Sequence, residues 1–417
     1  MILKHLSLSN FRSYLRLDTD IPRRILLLSG GNAQGKTSLL EALFYCASFS
    51  SPLASADRQL IHFNVLDDPI AVARMITEFE RDGSTHRMEV RIILENAEKG
   101  GRTRKEILVD GIKTNAQKAI GTFPCVLFLP QMTRILEGSP DERRRYLNIM
   151  LSQSVPGYAR ALSEQKQILT RRNALLKLLA ERRTDPSQLD YWDAMLAERS
   201  AVLIRHRAKA LQYLKETARE VHLQLTGSRE LLDLGYLPGF DPLNPAGISG
   251  KSNQFIAGGS EINTLSDQET AASYRTILKE NRENDIRRGV TTAGPHRDDF
   301  SIFASGIDLC TYGSRGQIRT ALLSLKLAEI EWMREQTGTL PLLLLDETLA
   351  ELDESRGNDL LNRLEQYDQA VLTTTDQADF PKSFAERNTI WQVNGGMIFK
   401  SNEDETGTIG SNGSVPN

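Results

Sequence analysis

The chain lacks the marks of a secreted or membrane protein. Cysteine is scarce: Cys46, Cys125 and Cys310 stand far apart, with no C-x-x-C pair among them. An odd count at that spacing argues against a disulfide framework and a clustered zinc site. No run approaches the roughly 18 consecutive apolar residues that a membrane helix needs. The opening stretch, Met1 to Tyr14, lacks the unbroken apolar core of a secretory signal. It is therefore expected to belong to the fold, with a cytoplasmic location and no membrane partner. An excess of one charge is also missing, since 51 Lys and Arg against 54 Asp and Glu leave a net −3. Taken globally, that gives a polyanion little reason to bind.

What is present is an ordinary globular composition, 40% hydrophobic and 25% charged over 417 residues, enough for two domains. The charge is unevenly placed. Between Asp141 and Thr226 sixteen Lys and Arg stand against ten Asp and Glu, a local +6. The remainder holds thirty-five basic and forty-four acidic residues, a net −9. Phosphate contacts need local positive potential and ignore the global sum, so this segment is a candidate nucleic-acid-binding surface. A solvated helix with extra lysines and arginines would give the same count.

Residues 1–45 read as strand, strand, glycine turn and helix, with Leu6, Leu8 and Phe11 in one apolar run and Arg24–Ser29 as a buried parallel strand. Strand-like stretches follow at Ala71–Met75 and Met88–Ile93, a polar hairpin loop at Glu95–Lys105, and another strand at Cys125–Leu129. From Ser139, expected as an N-cap, long helices take over, at about Gly157–Arg183 and Gln188–Thr226. In the second, Trp192, Leu196, Leu203, Ala210, Leu214, Val221 and Leu225 are spaced by steps of four and seven, a seam that predicts an antiparallel hairpin. Residues 238–265 read as loop, Ser266–Arg288 as a helix, Arg315–Gln336 as a long helix, and Pro341–Leu345 and Ala370–Thr374 as strands. The expectation is an α/β fold, a P-loop core interrupted by a mostly helical arm. The divisions are 1–138 (core), 139–290 (arm), 291–401 (core again) and 402–417 (disordered tail).

Gly30, Gly31, Asn32, Ala33, Gln34, Gly35, Lys36 and Thr37, followed by Ser38, fit G-x-x-x-x-G-K-[ST] between a strand and a helix. Glycines let backbone N–H groups fold around phosphate oxygens, and the helix N-terminus adds its positive end. Lys36 is placed for the β- and γ-phosphates of ATP and Thr37 for Mg²⁺. Four leucines then run into Asp346 and Glu347. A buried parallel strand would deliver Asp346 to the metal and Glu347, one residue on, as general base for the attacking water. Ser314, Arg315, Gly316 and Gln317 open the long helix and could form a second phosphate-binding helix end. Because the first loop is complete by itself, a second such end makes sense if it serves another subunit's nucleotide. An ordinary Ser N-cap is the plainer reading.

These segments, with Ala350-Glu351-Leu352-Asp353, resemble the Walker A, signature, Walker B and D-loop of ABC-type ATPases. Asn10-Phe11-Arg12-Ser13-Tyr14, the Pro130–Asn148 stretch and Gly294-Pro295-His296-Arg297-Asp298-Asp299 narrow the resemblance to the RecF family. The resemblance implies an ATP-dependent homodimer with weak, DNA-dependent ATPase activity. It implies binding of single- and double-stranded or gapped DNA, work with RecR and RecO, and support of RecA loading in repair and replication. It makes Gln131 a Q-loop residue, and Asp353 and Arg12 nucleotide contacts, although Arg12 also reads as an ordinary surface arginine. Departures are Gln131 for an acid, Asn148 for Asp, Glu347 for a second Asp, and Thr375 where transporter ATPases carry a switch histidine. His296, after Gly-Pro, reads as a hinge or packing residue. Arg143–Arg145 spread around their helix, so at least one should pair with a core acid. Two alternatives remain. An Smc- or Rad50-like structural ATPase would need a far longer coiled coil, and a P-loop kinase or GTPase would have no use for Ser314–Gln317.

Overall fold

The computed structural model describes residues 1–95, 101–181, 185–243, 256–257, 261–349, 352 and 354–400. The expected tail from residue 402, and Ala350, Glu351 and Asp353 of the expected D-loop, lie outside the described residues. Among those described, no helix is long and apolar enough to cross a membrane.

Five strands lie parallel in the order Thr389–Asn394, Arg24–Ser29, Gln369–Thr374, Leu342–Asp346 and Cys125–Phe128, with Met397–Lys400 added antiparallel at one edge. Their continuous apolar runs reflect burial on both faces. Leu26, Leu28, Leu342 and Leu344 face one core with the helix Lys36–Ser48. Ile25, Leu27, Leu343 and Leu345 face the other with the helix Arg315–Thr337. The Gly30–Thr37 loop, Glu347 and Gln131 each follow the carboxyl end of one of its strands.

A second, antiparallel sheet runs Tyr14–Asp20, Ile2–Phe11, Ile70–Arg81, Ser84–Glu95, Arg102–Val109 and Ile112–Thr114. The expected Glu95–Lys105 loop is shorter than its polarity suggested. Pairing continues to Glu95 opposite Arg102, because charged side chains on the open face pair across strands. A third sheet joins Leu232–Leu237 to Asp299–Ala304 and so crosses residue 290, the expected end of the arm.

The arm's helices are Pro140–Ser154, Tyr158–Ala180, Leu189–Leu225, Asp267–Glu280 and Arg282–Arg288, the last two replacing one expected helix. Ser139 caps the first by its backbone, with no side-chain hydrogen bond. The seam from Leu196 to Leu225 is buried as its spacing predicts. The long helix is nonetheless no free limb of a hairpin. It packs against Tyr158–Ala180, Asp267–Glu280 and Arg315–Thr337, where Ala201, Ala208 and Ala218 are fully buried on it.

Charge is buried inside the arm. Arg172 is wholly buried and meets Asp193 and Asp285 at 2.7 Å each. Arg207 meets Asp298 at 2.6 Å, and Asp298 also accepts from Tyr236 and from the Gly239 N–H. Asp298→Ala should cost about 3–5 kcal/mol, because it leaves the Arg207 guanidinium buried without a counter-charge. Denaturant unfolding reads this, and a loss below about 1 kcal/mol would mean water already reaches the pair.

Candidate nucleotide site

The Gly30–Thr37 turn leaves the strand Arg24–Ser29 and enters the helix at Lys36 with no side chain capping that end. Its first N–H groups are therefore available to an anion. The turn is shaped by close approach. A Cβ on Gly30 would stand 2.3 Å from the Val393 carbonyl oxygen, and one on Gly35, at φ 116°, 2.8 Å from Ser13 Oγ. Gly31, Asn32 and Ala33 are exposed at its tip, Ala33 in the left-handed region. Lys36 is almost wholly buried, and its ammonium donates to the carbonyls of Gly30 at 2.7 Å and Gly31 at 3.0 Å. Those carbonyls, with Glu347 at 3.5 Å, are the contacts a phosphate would take over.

Asp346 ends its strand level with Thr373 of the neighbouring strand. Its carboxylate accepts from Thr37 Oγ1 at 2.9 and 3.0 Å and from Thr373 Oγ1 at 2.7 Å. Burial pushes its proton affinity above the ordinary carboxylate range, the two threonine hydrogen bonds oppose this, and the nearby Glu347 charge adds to it. A buried acid of that kind gains from a cation. Among the described residues no group of three or more His, Cys, Asp or Glu could hold a metal. The Thr37 hydroxyl and the Asp346 carboxylate are hard oxygen donors of the kind Mg²⁺ takes, and they would hold it together with phosphate and water oxygens. Glu347 sits at φ 46°, a conformation costing a non-glycine residue about 1–3 kcal/mol. Its N–H is held by Thr373 Oγ1 at 3.0 Å, so one threonine fixes both acids.

Other expected residues lie elsewhere. Ser314 caps Arg315–Thr337 in a reciprocal box: its Oγ accepts from the Gln317 N–H, and the Gln317 side chain accepts from the Ser314 N–H. Ser314, Arg315 and Gly316 are exposed, and a Cβ on Gly316 would meet nothing within 4 Å. Gln317 donates to Glu230, which lies beside buried His222 of the long arm helix. None of these contacts involves the Gly30–Thr37 loop. Arg12 binds Glu41 on the loop helix through two 2.8 Å hydrogen bonds and the Gln59 carbonyl through a third. Contact with the loop is not among them. Gln131 is exposed just past Cys125–Phe128, at the edge that carries Asp346. Thr375 is exposed after its strand.

Sequence reasoning missed Thr373, whose role depends on inter-strand register. It also missed the turn at Gly395-Gly396, whose N–H groups donate to Gln34 at 2.7 and 2.9 Å. Asn394-Gly395-Gly396 between two strands was the available signal. Tyr14, whose hydroxyl donates to the Gly35 carbonyl at 3.0 Å, closes the Asn10–Tyr14 motif, which marked the residue but not this contact.

A phosphate loop, a paired buried acid and an adjacent glutamate, all at the carboxyl edge of a parallel sheet carrying a helical insertion, define the class: an ABC-type ATPase head. The family model described as RecF/RecN/SMC N terminal domain matches residues 2–398. DNA replication and repair protein RecF of Chloroflexus aggregans is 35% identical over 96% of this chain and 100% of its own length. The same-named protein of Shouchella clausii is 32% identical over 95% and 99%. A solved structure of the recombination mediator protein RecF with ATP superimposes at a TM-score of 0.79, with 28% identity, over 96% of this chain and 97% of that one. The chain belongs to the RecF family.

Proposed function

We propose that this protein is an ATP-gated DNA clamp. Each ATP, with Mg²⁺ on Thr37 and Asp346, lies between the Gly30–Thr37 loop of one copy and the Ser314–Gln317 helix end of a second. Supporting observations are the open loop and the exposed helix end, with free space over Gly316 and no contact to its own chain's loop. A complete site with a spare, outward-facing anion site is half of two symmetric sandwiches. Closure brings two arms against DNA, and slow hydrolysis releases them. The relatives' role in DNA replication and repair favours single- and double-stranded or gapped DNA as the ligand, RecR and RecO as co-workers, and RecA loading as the outcome.

Lys36 would hold the phosphates, and Thr37 and Asp346 would hold Mg²⁺, which supplies charge compensation to the phosphate oxygens. Glu347, fixed by Thr373, takes the proton of the attacking water, and Gln131 and Asp353 complete the closed site. Glu347→Gln keeps the side chain's shape and removes the base. It should lower turnover by about 10²–10⁴-fold, the range for general-base catalysis, and trap an ATP-loaded dimer on DNA. Unchanged hydrolysis would remove Glu347 from that role.

A further inference from the structure

Much of the arm's positive charge is cancelled by acids from outside the basic segment. Asp299 neutralises Arg143, Asp285 sits on Arg172, Asp298 on Arg207, Asp267 on Arg205 and Asp233 on Lys215. The candidate DNA surface must be sought among the cations that remain.

Two of them, Arg145 and Lys166, reach a cleft of about 540 Å³ between the arm's base and the end of the loop helix. Arg145 donates to the Ser51 carbonyl, and Lys166 is exposed with no side-chain partner among the described residues. Arg144 lines the same cleft and already holds Asp141, the one carboxylate in the lining, at 2.6 Å. Arg207 in the floor is spent on Asp298. His296, with its Nε2 on the Thr291 carbonyl and its proton affinity lowered by burial, adds no charge.

The floor also holds an unmet donor. Gln165 is 4% exposed, and its side-chain nitrogen is buried with no acceptor. Such a group costs about 1–3 kcal/mol unless a ligand supplies an oxygen. Cations without a carboxylate at the rim and a donor without an acceptor in the floor suit an anionic oxygen.

We propose that this cleft seats a backbone phosphate of a nucleic-acid strand, with Arg145 and Lys166 supplying the charge and Gln165 the buried hydrogen bond. The proposal rests on the DNA-clamp reading and gives it a place on the chain. Cations at an exposed rim suit a polymer passing across the opening. Ser48 ends the helix that starts at the phosphate loop and Ser50 lies just beyond it, so both arm and ATPase core line the cleft.

The test is DNA binding by the full chain across a salt series, with ATP. Lys166→Glu should weaken binding roughly tenfold and lower the slope of log affinity against log salt by about 1. Its ATP affinity and thermal midpoint should stay at the parent values. Gln165→Leu removes the unmet donor at similar volume, so it should leave the fold as stable or more stable while weakening DNA binding. A damaged fold cannot give that pair of results. Parental DNA affinity and salt slope in both variants would overturn the proposal, even if inorganic phosphate raised the parent's thermal midpoint and not that of Lys166→Glu. Absence of salt-dependent DNA binding in the parent chain would instead defeat the clamp reading itself.

Discussion

Lys36→Met should bind ATP at least about 100-fold more weakly than the parent, a loss of about 2.7 kcal/mol. The ammonium is buried against two loop carbonyls and Glu347, with no second cation on those groups among the described residues. A triphosphate placed there without it would face carbonyl oxygens and a carboxylate uncompensated. Methionine keeps the aliphatic stem and most of its packing, so the thermal midpoint should move by only a few degrees. Loss of binding is thereby separated from loss of fold. Retained micromolar affinity in a titration calorimeter would refute the loop assignment.

Ser314→Arg should leave ATP binding by the single chain intact and abolish its ATP-dependent dimers. The residue caps an exposed helix end whose recorded contacts all lie away from the loop. Losing the cap costs about 1 kcal/mol locally, too little to unfold a chain of this size. A long side chain at that position would fill the space over Gly316 where the partner's phosphates must enter. Light scattering with and without ATP reads the effect, and normal dimers in this variant would count against a shared site.

Sequence revealed the site where its chemistry is contiguous. Gly30–Thr37 and Leu342–Glu347 each carry a strand and its functional end in one short run, so pattern and placement coincide. The seam from Leu196 to Leu225 was legible for a similar reason, since helical spacing fixes which side chains share a face. Contacts across the chain were hidden. Thr373 lies 26 residues from Glu347, and Gly395 lies 361 from Gln34. Leu232–Leu237, interrupted by Gly235, becomes a strand only when Asp299–Ala304 arrives to pair with it. The charge count overstates the segment's free cations for a physical reason. Residues 141–226 carry a net +6 in sequence, yet Asp285, Asp298 and Asp299 fold back to pair with Arg172, Arg207 and Arg143. The expected acid partner for one of the three adjacent arginines is Asp299, and the other two line the arm–core cleft.

The most direct measurement is sedimentation velocity of the Glu347→Gln chain, with and without ATP, on gapped and on blunt duplex DNA. Monomers without nucleotide should become dimers with ATP and Mg²⁺, and the dimer should co-sediment with DNA. Chains that bind ATP fully yet stay single, and run past both DNAs without engaging them, would contradict a nucleotide pocket built from two molecules.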